Sequence, residues 1–358
     1  MKNLRNYTYA DLLPVMAEMG EKPFRAAQVY AWVFQRGASG IDFMTDISKG
    51  FRERLKQEFC IAGPEVNDVR TSTDGTRKFL TLLEDGNKME SVLIPSTDGR
   101  LTLCVSTQAG CALGCRFCLT GANTFTRNLT LAELSGQVLS ARGLINVAQG
   151  FSPENLRPKG LSCNDGEHIT NIVLMGMGEP LTNYENVIKF LGVLVDGKGF
   201  GFSHNKVTVS TAGLAPGIRR LAAESRVNLA VSLNATTDEI RDRIMPINKK
   251  YPIEELLSAV KDYCRIVKKT VTVEYVLLKN VNDSNEDARR LAGLLKGVPC
   301  KVNLIPFNEF PGCAFQRPDE LRVIVFHKIL LDEGYTVLVR ASKGGDILAA
   351  CGQLSGAA

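Results

Sequence analysis

The sequence predicts an α/β protein: a partial (β/α)6 barrel preceded by a small helical domain and a short antiparallel β-extension. Three observations predict it. Residues 1–60 carry apolar side chains at helical spacing, residues 65–103 alternate at strand spacing between tight turns, and from residue 104 apolar β-branched runs alternate with helical stretches.

Taken in order, "EKPFRAAQVYAWVFQRG" puts Phe24, Ala27, Tyr30, Val33 and Phe34 on one helical stripe that stops at Gly37. "DISKGFRERLKQEF" reads as a second helix carrying the basic residues Lys49, Arg52, Arg54 and Lys56. The strands "RKFLTLL", "KMESVLIP" and "RLTLCVST" follow, separated by the turn pairs Asp85-Gly86 and Asp98-Gly99. Beyond them, "ITNIVLMGM", "KVTVST", "NLAVSLN", "TVTVEYVLL" and "KVNLIPF" suit parallel strands buried on both faces. Helical stretches at 183–195, 216–224, 252–267 and 284–297 separate them. Counting "TLCVST" as the first strand gives six βα units over 104–340, too few for a closed eight-stranded barrel. Residues 149–168 read as a polar loop, and 341–358 as a terminal loop and tail.

At 358 residues the chain can bury a full core, and 44% hydrophobic content is ordinary for a globular protein. No apolar run approaches a membrane span and the start lacks the apolar stretch of a secretion signal, so a cytoplasmic protein without membrane contact is expected. Ten cysteines without any sign of export predict free thiols, metal ligands or redox catalysts rather than a disulfide framework. With only His168, His204 and His327, a histidine-based triad or zinc centre has little to build on. The net charge of +5 tilts the surface towards polyanions, although a solvated basic face explains it equally well.

"CALGCRFCLTG" places Cys111, Cys115 and Cys118 in a C-x-x-x-C-x-x-C loop just after the first barrel strand. Three thiolates in eight residues can wrap one soft metal centre. Zinc would lack a fourth ligand at finger spacing, whereas three ligands on a four-iron cluster leave one iron open to substrate. Further small or polar residues fall at the ends of the later strands. They are Gly178 and Glu179 in "MGMGEP", Ser210 after "KVTV", Ser232 and Asn234 in "SLN", and Asn308 after "NLIPF". Small residues let a backbone approach a ligand, and a carboxylate can accept from an ammonium. A tight strand-to-helix turn alone would also account for "MGMGEP".

The cysteine motif, with Phe117 before its last cysteine and a partial βα barrel following, resembles the radical S-adenosylmethionine (SAM) superfamily. The whole chain further resembles the RlmN-type adenine methyltransferase family through "ESVLIP", "CVSTQAGCALGCRFCLTG", "MGMGEP", "LIPFNEFPG" and "RASKGGDILAACGQL". It departs from that family's pattern at Asn234, where histidine is common, and at Glu309, where proline is common.

The resemblance implies a [4Fe-4S] cluster on Cys111, Cys115 and Cys118, and SAM contacts from Gly178, Glu179, Ser210, Ser232, Leu233, Asn234 and Asn308, with two SAM used per turnover. It implies methylation of carbon 2 of an adenine in the peptidyl transferase centre of 23S rRNA, and in some members of tRNA. Carbon 2 has no lone pair, so it cannot take a methyl from SAM as an ordinary nucleophile would. By the resemblance Cys351 carries the methyl, Glu90 accepts the carbon-2 proton, and Cys104 resolves the protein–RNA adduct as a disulfide with Cys351. An external electron donor and a thiol reductant are then required, and a monomer is the simplest expectation. Arg52, Arg54 and Lys56 are candidate phosphate contacts. The competing readings are methylation at carbon 8 of the same adenine, a non-enzymatic iron–sulfur or disulfide-exchange protein, and a radical enzyme acting on a small molecule.

Overall fold

The computed structural model describes residues 1–148 and 167–356. The loop expected at 149–168 therefore lies almost wholly outside the described residues.

The amino-terminal domain is built from β1 (Lys2–Asn3), α1 (Tyr9–Glu18), α2 (Phe24–Tyr30), α3 (Lys49–Glu58) and β2 (Phe59–Cys60). β1 and β2 pair in parallel, so the chain leaves the domain beside the point where it entered. Helix α1 starts at a capping box in which Thr8 and Asp11 satisfy each other's backbone amides. Beyond α2 the chain continues as a π-helical turn over Ala31–Gln35. That extra residue rotates the register, so the consecutive Trp32, Val33 and Phe34 are all buried. The expected stripe holds at Tyr30, Val33 and Phe34, but Phe24 is exposed. It sits in the first turn of α2, where Arg25 covers its ring at 4.8 Å.

Among the described residues, the rest of the chain is organised by a ten-stranded sheet, with one further two-stranded pair. β3 (Glu65–Thr71), β4 (Arg77–Leu82), β5 (Lys88–Pro95) and β6 (Leu101–Cys104) form an antiparallel meander. β6 is also the first parallel strand, pairing with β9 (Asn171–Leu174). Between them lie β7 (Gln108–Ala109), the cysteine loop, α4 (Leu119–Ala122), β8 (Arg127–Asn128) and α5 (Leu131–Ala148). Parallel pairing continues through β10 (Val207–Thr211), β11 (Asn228–Ser232), β12 (Val271–Leu277) and β13 (Cys300–Pro306) to β14 (Val337–Val339). Their crossovers are α6 (Tyr184–Val195), α7 (Ala215–Glu224), α8 (Asp238–Ile244) with α9 (Ile253–Val267), α10 (Asn285–Leu295) and α11 (Glu320–Asp332).

Six βα units are thus present among the described residues, as the sequence predicts, and the short edge strand β14 is an addition. The sheet is open, with β3 and β14 at its edges. The β-extension is no separate layer, because β5 and β6 carry the ladder straight into the barrel. One hydrophobic core runs from Leu4 in the helical domain through the sheet to Leu354. Asn6 ties the domain to the barrel, its Oδ1 accepting from the Ala132 amide at the start of α5 (2.9 Å). Parallel alignment sends every barrel strand to the same rim with its carboxyl end, and that rim is where the chemistry gathers.

Candidate active site

The cysteine loop crosses the carboxyl ends of the strands. It is drawn tight by the Cys118 amide donating to Cys115 O (3.2 Å) and docked by the Arg116 amide donating to Ile244 O at the end of α8 (3.0 Å). Gly121 is required there, since a Cβ would lie 2.7 Å from Cys115 O. All three cysteines are partly exposed to one cleft, and burial pushes each thiol's pKa up, that of Cys111 to about 11.

The opposite wall of the cleft is made of strand ends. Gly178, Glu179, Ser210, Ser232, Asn234 and Asn308 all line it, and so does Cys351. Gly178 adopts φ +94° beneath the Gln108 side chain, where a Cβ would sit 2.5 Å from Gln108 Cβ. Glu179 is buried, with Oε1 accepting from the Leu181 amide (3.0 Å) and Oε2 from the Ala212 amide (2.7 Å). Burial raises its pKa to about 7 against those hydrogen bonds, so an added cation would stabilise its charge. Asn234 holds a left-handed φ of 57°, which asparagine tolerates better than most residues. Its side chain accepts from the Val276 amide (2.8 Å) and donates to Met245 Sδ (3.3 Å).

Leu233 differs from its neighbours, being buried and absent from the cleft wall. Its backbone serves the strands instead, its amide donating to Glu274 O (3.0 Å). Glu274 is the residue the sequence reading missed. It sits in β12 with its side chain in the cleft, accepting from Ser210 Oγ (3.1 Å) and facing Arg340 Nη1 at 4.0 Å. A lone acid inside the apolar run "TVTVEYVLL" was the available signal.

Cys351 lines a second, smaller cavity as well, which it shares with Cys104 and Arg340. The sequence separates the two cysteines widely, and the fold brings them to one chamber. Cys104 is buried at the end of β6, and burial pushes its thiol up to about 12, with Cys351 adding and Arg340 opposing. Among the described residues every cysteine is a free thiol.

The segment carrying Cys351 is strapped at many points. Asp346 accepts from Ser72 Oγ (2.6 Å), Asp74 from the Gly344 amide (2.9 Å), and Gly352 O from the Leu119 amide beside the cysteine loop (2.7 Å). Glu90 lies outside both cavities. It is buried, paired with Lys78 Nζ (2.8 Å), and its Oε2 accepts from the amides of Ser355 (2.7 Å) and Gly356 (3.1 Å). In this conformation Glu90 holds the tail. The basic face on α3 is likewise engaged: Arg54 pairs with Glu21, and Lys56 with Asp42 and Glu53.

A [4Fe-4S] cluster fits the donor set. Three soft thiols share one face of the cleft, and about 1010 Å³ of space, counted out to solvent, lies between them and the strand ends. Among the described residues no three His, Cys, Asp or Glu side chains converge at single-ion distance. A four-iron cube holds its ligand sulfurs further apart than one ion would.

A partial parallel barrel with three cysteines on a loop at its carboxyl rim defines a radical SAM enzyme, and residues 105–292 match the family model "Radical SAM superfamily". Residues 2–61 match "Ribosomal RNA large subunit methyltransferase N-terminal domain". Proteins called "Dual-specificity RNA methyltransferase RlmN" from Geotalea uraniireducens and Pelobacter propionicus are 48% and 49% identical, each match covering 99% of this chain and 96% of the relative. A crystal structure of a radical SAM methyltransferase from Sphaerobacter thermophilus superposes with TM-score 0.88 at 40% identity, covering all of both chains. The chain belongs to the RlmN family of radical SAM RNA methyltransferases. No helix among the described residues is long and apolar enough to cross a membrane.

Proposed function

We propose that this enzyme methylates carbon 2 of an adenine in 23S rRNA, and of an adenine in tRNA, using Cys351 as the methyl carrier. The observation that carries the reading is the position of Cys351, which lines both the cleft of Cys111, Cys115 and Cys118 and the chamber of Cys104. A methyl carrier and its resolving thiol need that arrangement.

In this reading Cys111, Cys115 and Cys118 hold a [4Fe-4S] cluster, while Gly178, Glu179, Ser210, Ser232, Asn234 and Asn308 hold SAM, with Leu233 supporting them through its backbone. When bound, the two cofactors supply a methyl group and, from a second SAM, a radical able to abstract hydrogen. Cys351 takes the methyl as a thiolate. After loss of one hydrogen atom, the carbon on its sulfur adds to the adenine, joining protein and RNA covalently. The adduct would then give up its unpaired electron, for which the oxidised cluster would be the acceptor, and its carbon-2 proton to Glu90, which requires Ser355 and Gly356 to give up their hold on that carboxylate. Cys104 then attacks the sulfur of Cys351, the sulfur–carbon bond breaks, the released carbon takes up a proton to give methyladenine, and the disulfide that forms must be opened by a thiol reductant. An external donor supplies the electron for the cluster.

The basic side chains of α3 are proposed phosphate contacts. Surface ion pairs are worth little, so RNA phosphates can compete with Glu21 and Asp42 for Arg54 and Lys56. We place the enzyme in the cytoplasm as a monomer, where its RNA substrates are.

The test is mass spectrometry of rRNA and tRNA nucleosides after anaerobic incubation with cluster-loaded protein, SAM and reductant. 2-Methyladenosine that disappears with Cys351→Ala is expected. 8-Methyladenosine would transfer the assignment to carbon 8, and no methyladenosine from cluster-loaded protein would remove the RNA assignment.

A further inference from the structure

Arg241, on α8, is completely buried. Its guanidinium donates only to neutral oxygens. Nε reaches Leu233 O (3.0 Å), Nη2 reaches Ala212 O (2.7 Å) and Ser232 O (3.2 Å), and Nη1 reaches Asn248 Oδ1 (2.8 Å) and Tyr251 O (3.4 Å). Among the described residues it forms no ion pair. The acids of its own helix, Asp238 and Asp242, instead accept from Asn248 Nδ2 at 2.9 and 2.7 Å. A buried cation satisfied only by carbonyls remains electrostatically expensive, and neutral side chains would make the same fold more cheaply.

The neighbouring feature that supplies an anion is the cysteine loop. α8 carries that loop on its carboxyl end through the Arg116 amide and Ile244 O. Cys115 and Phe117 pack in one apolar cluster with Ile244, Met245 and Ala212, whose carbonyl the guanidinium holds. Ala212 and Ser232, whose carbonyls Arg241 holds, line the same cleft as Cys115, and burial lowers the guanidinium's pKa only to about 10. The guanidinium therefore keeps its charge at neutral pH. The Ala212 peptide is also clamped at both ends, its amide on Glu179 and its carbonyl on Arg241.

We propose that Arg241 is a positioning residue that holds a fixed buried positive charge behind Cys115 and raises the reduction potential of the cluster bound there. A cation close to a cluster stabilises the more negative, reduced state, and it does so strongly where water is excluded. The inference rests on Cys111, Cys115 and Cys118 being the cluster ligands.

The experiment is an EPR-monitored redox titration of the reconstituted protein, wild type against Arg241→Gln and Arg241→Lys, with circular dichroism melting of the cluster-free proteins beside it. Arg241→Gln is expected to shift the midpoint to more negative potential, and Arg241→Lys to stay near wild type because it keeps the charge. An unchanged midpoint in Arg241→Gln, or an equal shift in Arg241→Lys, overturns the proposal. Failure of either cluster-free variant to fold also overturns it, because the guanidinium then serves the architecture alone. If the wild-type protein assembles no EPR-active cluster, the cluster reading itself falls, an outcome distinct from a cluster whose potential does not move.

Discussion

The side-chain amide of Asn308 donates to the backbone carbonyl of Cys351 at 3.0 Å, while its Oδ1 accepts from Ser342 Oγ. A residue just beyond β13 thereby fixes the loop that carries the proposed nucleophile. Asn308→Ala removes both hydrogen bonds, of which the one to the Cys351 carbonyl is worth about 1 kcal/mol to the placement of the nucleophile. The methylation rate should fall about fivefold with cluster content and fold intact. Single-turnover methylation against iron content separates the two effects.

Cys104 faces Cys351 across the smaller cavity. Cys104→Ala should leave each enzyme molecule able to react once and unable to release its product. A protein–RNA conjugate should then appear on a denaturing gel and be absent when Cys351 is replaced as well. Normal turnover by Cys104→Ala would assign resolution to another thiol.

Gly121 has no room for a side chain, since a Cβ would press against Cys115 O. Gly121→Ala should displace the cysteine loop and lower iron retention about tenfold, the scale of losing support around a metal site. Gly143→Ala, on α5 with open space at its Cβ, is the control and should retain iron normally.

Asp74 ties down the start of the Cys351 segment through the Gly344 amide. Slight burial works against its charge, but hydrogen bonds from Thr76, Gly344 and Ser72 dominate and lower its pKa to about 2. A carboxyl with a depressed folded pKa contributes stability above its unfolded pKa, near 4, and loses it as pH falls towards the folded value. Hydrogen exchange at residues 344–352 should therefore accelerate between about pH 4 and pH 2 beyond the intrinsic trend. Asp74→Asn should show the faster exchange already at neutral pH.

The parts of the site set by local spacing were legible in the sequence. Cys111, Cys115 and Cys118 advertise themselves in one loop, and Ser210, Ser232 and Asn308 follow from strand ends in a parallel sheet. Features decided by tertiary packing were not. Glu274 hides in a run that otherwise reads as buried strand, and Arg241 looks like one more charge on a polar helix until the fold buries it. Phe24 lies in the first turn of α2, ahead of the π-helical turn, where the helix buries Ala26, Val29 and Tyr30 and leaves Phe24 exposed. Strand β14 is too short for periodicity to reveal, and Leu233 contributes only its backbone, which side-chain chemistry does not signal. The attachment of Glu90 to residues 355–356 depends on a contact between distant parts of the chain.

The central claim is that the methyl group passes through Cys351. The direct measurement is peptide mass spectrometry of cluster-loaded protein incubated with methyl-labelled SAM, followed by a chase with unlabelled SAM and RNA. The account predicts a labelled S-methyl group on the Cys351 peptide, and the labelled carbon should move into the RNA adenine during the first turnover. An unlabelled Cys351 peptide in a protein that methylates RNA, or a label that stays on Cys351 while RNA is methylated, would contradict it.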